Sequence, residues 1–141
     1  MGTGLVVLIA ENDRDMRGYV RRCLEKHDVD IAEVVEARDG REALDVALGR
    51  HIDLLITDGA MPRLDGFALC TAVRRELNDR HPKVLVVTGQ FDRKDAERRA
   101  RAAGADGLLL KPFNALTLCE KIDQVLSFRS PPINPSPNQG G

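Results

Sequence analysis

The chain has 141 residues, enough for one domain with its own core, and its 43% hydrophobic and 30% charged content is ordinary for a globular protein. With 21 basic against 22 acidic residues the formal net charge is -1, which gives no general reason to expect nucleic acid or an anionic membrane as partner. No apolar run approaches the roughly 20 residues of a membrane span, no charged start with an apolar stretch suggests a signal peptide, and Cys23, Cys70 and Cys119 are too scattered for a zinc cluster.

Leu5–Ala10 is continuously apolar and stops at Glu11-Asn12-Asp13; short unbroken runs of this kind predict strands buried on both faces, as in a parallel sheet. Asp13 reads as the N-cap of a helix over Arg14–Lys26, with Met16, Val20, Cys23 and Leu24 on one face. Ile31–Ala37 is a second strand, placed at a sheet edge by the charges of Glu33 and Glu36. Asp39-Gly40 turns into a helix with Ala43, Leu44, Ala47 and Leu48 inward, stopping at Gly49. Residues 53–58 form the third strand, and Gly66–Leu77 a helix with Phe67, Cys70, Val73 and Leu77 inward.

Pro82 precedes a fourth strand over 84–88, which Gly89 breaks. Asp92 caps a helix running to Ala103 and ended by Gly104. Its inner positions are only Ala96, Ala100 and Ala103, so it buries little area and is expected to be the most weakly anchored. Its outside carries Arg93, Lys94, Arg98, Arg99 and Arg101 among Asp95 and Glu97, which reads as a solvated face. The fifth strand covers 106–111 and stops at Pro112; the last helix covers 114–127 with Leu116, Cys119, Ile122 and Leu126 inward. From Ser130 the chain is Pro- and Gly-rich without periodicity, a flexible tail or linker stub. The three cysteines fall on apolar helical stripes and read as reduced core residues. His27, His51 and His81 sit near element boundaries and read as surface groups.

Five strands alternating with five helices predict an α/β, doubly wound parallel sheet covered on both faces. In such a sheet the carboxyl ends of the strands share one rim, where ligands bind. Four of those ends are polar: Glu11-Asn12, Asp58, Thr88 and Lys111. Singly, Asp58 before Gly59 suits a turn, Thr88 a strand and Lys111 a solvated charge. Together they place carboxylates that attract a hard cation beside an ammonium and a hydroxyl. That set suits phosphoryl transfer, which needs alignment and charge neutralisation: Asp58 as nucleophile, with Mg²⁺ and Lys111 supplying charge and Thr88 a hydrogen bond.

These pieces, in order and spacing, resemble the receiver domain of two-component response regulators over about residues 5–126. The matching stretches are Glu11-Asn12 ahead of Asp13-Arg14-Asp15-Met16-Arg17, Asp58 with Met61-Pro62 and Leu64-Asp65-Gly66, Val87-Thr88-Gly89, and Ala103-Gly104-Ala105-Asp106 leading to Lys111-Pro112-Phe113. The resemblance implies a flavodoxin-like (βα)5 sandwich with strand order 2-1-3-4-5, a receiver over 1–128 and a tail over 129–141. It implies a cytoplasmic phosphoacceptor, capable of Mg²⁺-dependent self-phosphorylation and autodephosphorylation, rather than a turnover enzyme. Asp58 would take phosphate from a sensor histidine kinase or phosphotransfer protein, with Mg²⁺ held by Glu11, Asn12, Asp58 and the carbonyl of Ala60. Thr88 and the fifth strand would report to the face made with the last two helices, which would meet a downstream protein target or a second copy. Lys111-Pro112 is expected to be cis.

Three departures stand out. The second acidic position is the neutral Asn12, which predicts weakened Mg²⁺ binding unless Asp13 swings in. Leu108 replaces the family's switching aromatic, and Ala60 and Gln90 flank the site at variable positions. The rival readings are a binding module of the same fold that is not phosphorylated, an aspartate phosphatase, which wants a second Asp where Ala60 stands, and a flavin-binding protein, for which Glu11-Asn12-Asp13 is the wrong loop.

Overall fold

Parity along each strand decides which side of the sheet a residue serves, since successive side chains point to opposite faces. In the computed structural model, which describes residues 4–77, 82–89 and 91–127, this alternation builds two cores around one sheet. The strands are β1 (Leu5–Ala10), β2 (Ile31–Ala37), β3 (Leu54–Asp58), β4 (Lys83–Thr88) and β5 (Gly107–Leu110). They alternate with α1 (Arg14–Lys26), α2 (Gly40–Gly49), α3 (Gly66–Leu77), α4 (Arg93–Ala103) and α5 (Ala115–Ser127). All strand pairs are parallel and the order is β2-β1-β3-β4-β5. The expected doubly wound architecture and the edge position of the second strand are therefore both present. His81, Gln90 and the tail over 129–141 lie outside the described residues.

Leu8, Ala10, Leu55, Val84 and Val86 face α2, α3 and α4, meeting Ala43, Ala47, Leu69, Val73 and Ala100. Their neighbours Val7, Ile9, Leu54, Ile56, Leu85 and Val87 face α1 and α5, meeting Val20, Leu24, Leu118, Ile122 and Val125. Central β3 is buried over its whole length. Edge strand β2 is half-buried, and its Glu36 is tied to α1 by Arg17 at 2.9 Å and Arg21 at 2.6 Å.

Two strands begin later than expected, and carboxylates explain both. Asp53 precedes β3 and its Oδ2 accepts the Val6 N–H at 2.8 Å; Asp106 precedes β5 and its Oδ2 accepts the Val84 N–H at 2.8 Å. Each side chain thereby satisfies a backbone donor that a further strand residue would have met. Lys111 falls just beyond β5, yet its N–H still donates to the Thr88 carbonyl at 3.0 Å. The Lys111–Pro112 bond is cis, as expected.

Two inward assignments are corrected. Leu48 is 43% exposed and Leu116 is 65% exposed. The buried line of α2 runs through Gly40, Ala43 and Ala47, and Leu48 is one residue, about 100° of rotation, past it. In α5 the buried line is Leu118, Ile122 and Val125; of the expected face Ile122 lies on it, Leu126 packs partly against the same core, Cys119 is half-buried and Leu116 is off it. Helix α4 buries Ala96, Ala100 and Ala103 as expected, and ends at Gly104 in the left-handed conformation, φ 83°.

Candidate functional site

Asp58 ends a strand that is buried throughout, and backbone hydrogen bonds hold the next residues tightly over the rim. The Gly59 N–H donates to the Val87 carbonyl at 3.0 Å, and the Gly66 N–H donates to the Gly59 carbonyl at 2.9 Å. Neither position has room for a side chain. A Cβ on Gly66 would strike the Asp58 carbonyl, and one on Gly59 would lie 2.8 Å from Cβ and 2.9 Å from Oγ1 of Thr88. The second contact locates the Thr88 hydroxyl: it lies against the residue after Asp58, and Thr88 is fully buried.

Three charged groups converge on this rim. Glu11 and Asp58 are only 5% and 8% exposed. Between them sits the Lys111 ammonium, with Nζ 3.4 Å from Glu11 Oε1 and 3.5 Å from Asp58 Oδ1. The other Glu11 oxygen, Oε2, accepts the Asp13 N–H at 3.0 Å. The Ala60 N–H donates a long bond, 3.4 Å, to Asp58 Oδ1. Burial pushes the Glu11 carboxyl above its usual range and the negative charge of Asp58 adds to that, while the Asp13 N–H and Lys111 pull the other way. Two carboxylates against one ammonium leave the site an excess of negative charge.

The candidates from the sequence separate clearly. Glu11, Asp58 and Lys111 are brought together, Thr88 is packed beside them, and half-buried Ala60 adjoins Asp58. Asn12 is exposed at the lip of the site. Asp13 is exposed and occupied: it is the N-cap of α1, and its Oδ1 accepts the Asp15 N–H at 3.1 Å. Among the described residues no group of three or more His, Cys, Asp or Glu side chains is arranged to hold a metal ion. The oxygens of Glu11, Asp58 and the Ala60 carbonyl nevertheless form a hard donor set that fits Mg²⁺, which keeps several waters and uses one or two carboxylates.

One neighbouring feature gives no sequence signal. Phe91, in the loop after β4, meets Phe67 edge-on with ring centroids 5.5 Å apart, and the Arg99 guanidinium lies 4.4 Å above its ring. Phe67 also abuts Gly59. A path of contacts thus runs from the residue after Asp58 to the outer face of α4. Leu108 is half-buried against the same core. Phe91 lies outside any periodic segment, so no spacing argument could single it out.

Comparison with known proteins bears on the family and the fold. A family described as "Response regulator receiver domain" matches residues 7–123. The chain is 35% identical over 119 residues to "Chemotaxis protein CheY" of Pseudomonas aeruginosa, covering 84% of this chain and 94% of that one. It is 32% identical over 123 residues to "Sensor histidine kinase TmoS" of Ectopseudomonas mendocina, covering 87% of this chain but 12% of that much longer protein. The solved structure of the chemotaxis response regulator CheY4 of Vibrio cholerae superposes with a TM-score of 0.77 at 33% identity, covering 87% of this chain and 99% of that one. Among the described residues no helix is long and apolar enough to cross a membrane.

Proposed function

The chain belongs to the response regulator receiver family, and from that premise we propose that it is a phosphorylation-dependent switch of a two-component pathway, with Asp58 as phosphoacceptor. The donor would be a phosphohistidine on a sensor kinase or phosphotransfer protein, acting in the cytoplasm. An Asp58 carboxylate oxygen attacks phosphorus, the P–N bond breaks, and the imidazole departs and takes up a proton. The product is an acyl phosphate on Asp58.

The observation that carries this reading is the Lys111 ammonium suspended between two nearly buried carboxylates. As the phosphoryl group arrives, Lys111 exchanges part of its contact with Asp58 for a phosphoryl oxygen, and the Thr88 hydroxyl donates to another. Glu11, Asp58, the Ala60 carbonyl and, from the lip, Asn12 would hold Mg²⁺, which when bound offsets the negative charge of the carboxylates and the phosphoryl oxygens. The path from Gly59 through Phe67 and Phe91 to Arg99 offers a route by which the state of Asp58 reaches α4 and a downstream protein target or a second copy of the chain.

The test is incubation with Mg²⁺ and acetyl phosphate, read by intact mass. One added phosphoryl group is expected, lost when Mg²⁺ is chelated and absent in Asp58→Asn. If neither acetyl phosphate nor a phosphorylated histidine kinase adds mass to Asp58, the chain is a protein-binding module that keeps the fold without the chemistry.

A further inference from the structure

Away from the rim, the seam between α1 and α5 brings two thiols together. The two helices run side by side in a fixed register. His27 Nε2 meets Asp123 Oδ1 at 2.8 Å, a separation of 96 residues. One turn earlier on each helix, the same separation sets Cys23 opposite Cys119; one turn earlier again, it sets Tyr19 opposite Ala115. At that end of the seam the Tyr19 ring lies 6.0 Å from that of Phe113, two residues before Ala115. Contacts on both sides therefore bracket the cysteine pair. Cys23 is 7% exposed and Cys119 is half-buried, and neither is in a disulfide. Burial pushes the Cys119 thiol up.

We propose that Cys23 and Cys119 form a redox-sensitive dithiol in the α1–α5 seam, closed to a disulfide by a two-electron oxidant of the peroxide class. Cys119 is the more open of the two and reacts first. Its thiolate attacks a peroxide oxygen, the O–O bond breaks, and one water leaves with Cys119 as the sulfenic acid. The Cys23 sulfur then attacks Cys119 sulfur, the S–O bond breaks, and a second water leaves. Two thiols have given two electrons to one peroxide. The bridge fixes α5 to α1 without touching Glu11, Asp58 or Lys111.

Cys70 supplies an internal control. It lies in the opposite core, its Sγ donates to the Ala103 carbonyl at 3.3 Å, and burial pushes its thiol up to about 12. The experiment treats the reduced full chain with increasing hydrogen peroxide, alkylates free thiols, digests with trypsin without reductant and maps the peptides by mass. The expected product is peptide 23–26 linked within one chain to peptide 102–121, two hydrogens lighter than the sum, with Cys70 alkylated only after unfolding. The bridged chain should also melt higher than the reduced one. Cys70→Ser should leave the link intact and Cys119→Ser should abolish it. Oxidation of Cys119 to sulfinic or sulfonic acid with Cys23 still alkylatable, or a link only between two chains, would overturn the proposal.

Discussion

Replacing Asn12 by Asp tests the charge argument at the neutral, exposed lip of the site. Asn12 is exposed while Glu11 beside it is buried, so the added carboxylate acts through solvent rather than protein. Two unit charges ~4 Å apart interact by about 1 kcal/mol in water, hence about 2 kcal/mol against a divalent ion. That corresponds to Mg²⁺ binding roughly 30-fold tighter. The change has an opposite effect without metal: a third negative charge beside Glu11 and Asp58, against the Lys111 ammonium that bridges them, lowers Tm, and Mg²⁺ should restore it. The assay is a Mg²⁺ titration monitored through the backbone amides of Glu11, Asp58 and Ala60 by NMR, paired with thermal melts with and without the ion. Asp13→Ala is the companion variant. Asp13 already accepts the Asp15 N–H, so its loss should cost about 1 kcal/mol of stability as a missing cap while leaving the Mg²⁺ affinity unchanged. Equal affinities for the chain and Asn12→Asp, or a weakened affinity in Asp13→Ala, would refute the reasoning.

Three further outcomes concern stability. Glu11 has its carboxyl raised in the folded chain, so the native state binds more protons than the unfolded one in the window from about the ordinary glutamate value of 4.5 upward, and its contribution to stability falls as pH rises through that window. Metal-free Glu11→Gln should therefore gain Tm relative to the parent as pH rises from 4.5 to neutral; a constant difference would contradict the burial argument. Glu36 behaves oppositely. Burial raises it, but hydrogen bonds from Arg17 and Arg21 outweigh that and lower it, so its contribution is present above the unfolded glutamate value and is lost as pH falls through the lowered folded one. Glu36→Ala should cost about 1–2 kcal/mol in urea melts at neutral pH, because Arg17 loses its carboxylate partner and Arg21 is left with the exposed Glu25. In α5, Leu118→Ala should cost roughly 2–5 kcal/mol by leaving a cavity, whereas Leu116→Asp should change stability by less than about 0.5 kcal/mol; the reverse ranking would mean the helix is rotated from its described position.

Legibility tracked the strength of the local physics. The strands were plain in sequence because fully buried strands need unbroken apolar runs, and β1, β3 and β4 are buried almost throughout. Caps were plain at Asp13 and Asp92, each of which accepts a first-turn N–H, while Asp39, read as part of a turn, also caps its helix by accepting the Glu42 N–H. Helix faces were less legible in α2 and α5, because both contain more apolar residues than one face needs. Leu48 and Leu116 could be told from true core residues only once the sheet fixed each helix's rotation. The convergence of Glu11, Asp58, Thr88 and Lys111 was legible because parallel topology puts strand ends on one rim. The position of the Lys111 ammonium between the carboxylates was not, since a lysine's reach says nothing of where its tip comes to rest.

That position bears on what the site asks of its ligand. Lys111 alone cannot neutralise Glu11 and Asp58, and both are too buried for water to do the rest. A phosphoryl group arriving alone would deepen the imbalance, and a cation arriving alone would have to share its carboxylates with the ammonium. On the proposed reading, with both bound Lys111 would be free to turn toward phosphoryl oxygens while Glu11 and Asp58 would help hold the cation, which would supply the missing positive charge. Lys111→Met separates these roles. Mg²⁺ should bind the variant at least as tightly, because a competing positive charge is gone, while phosphorylation from acetyl phosphate should fall by roughly 10²-fold or more, the loss of one preorganised charge at the transferring group. Loss of Mg²⁺ binding alongside phosphorylation would show that Lys111 holds the site's shape rather than its charge balance.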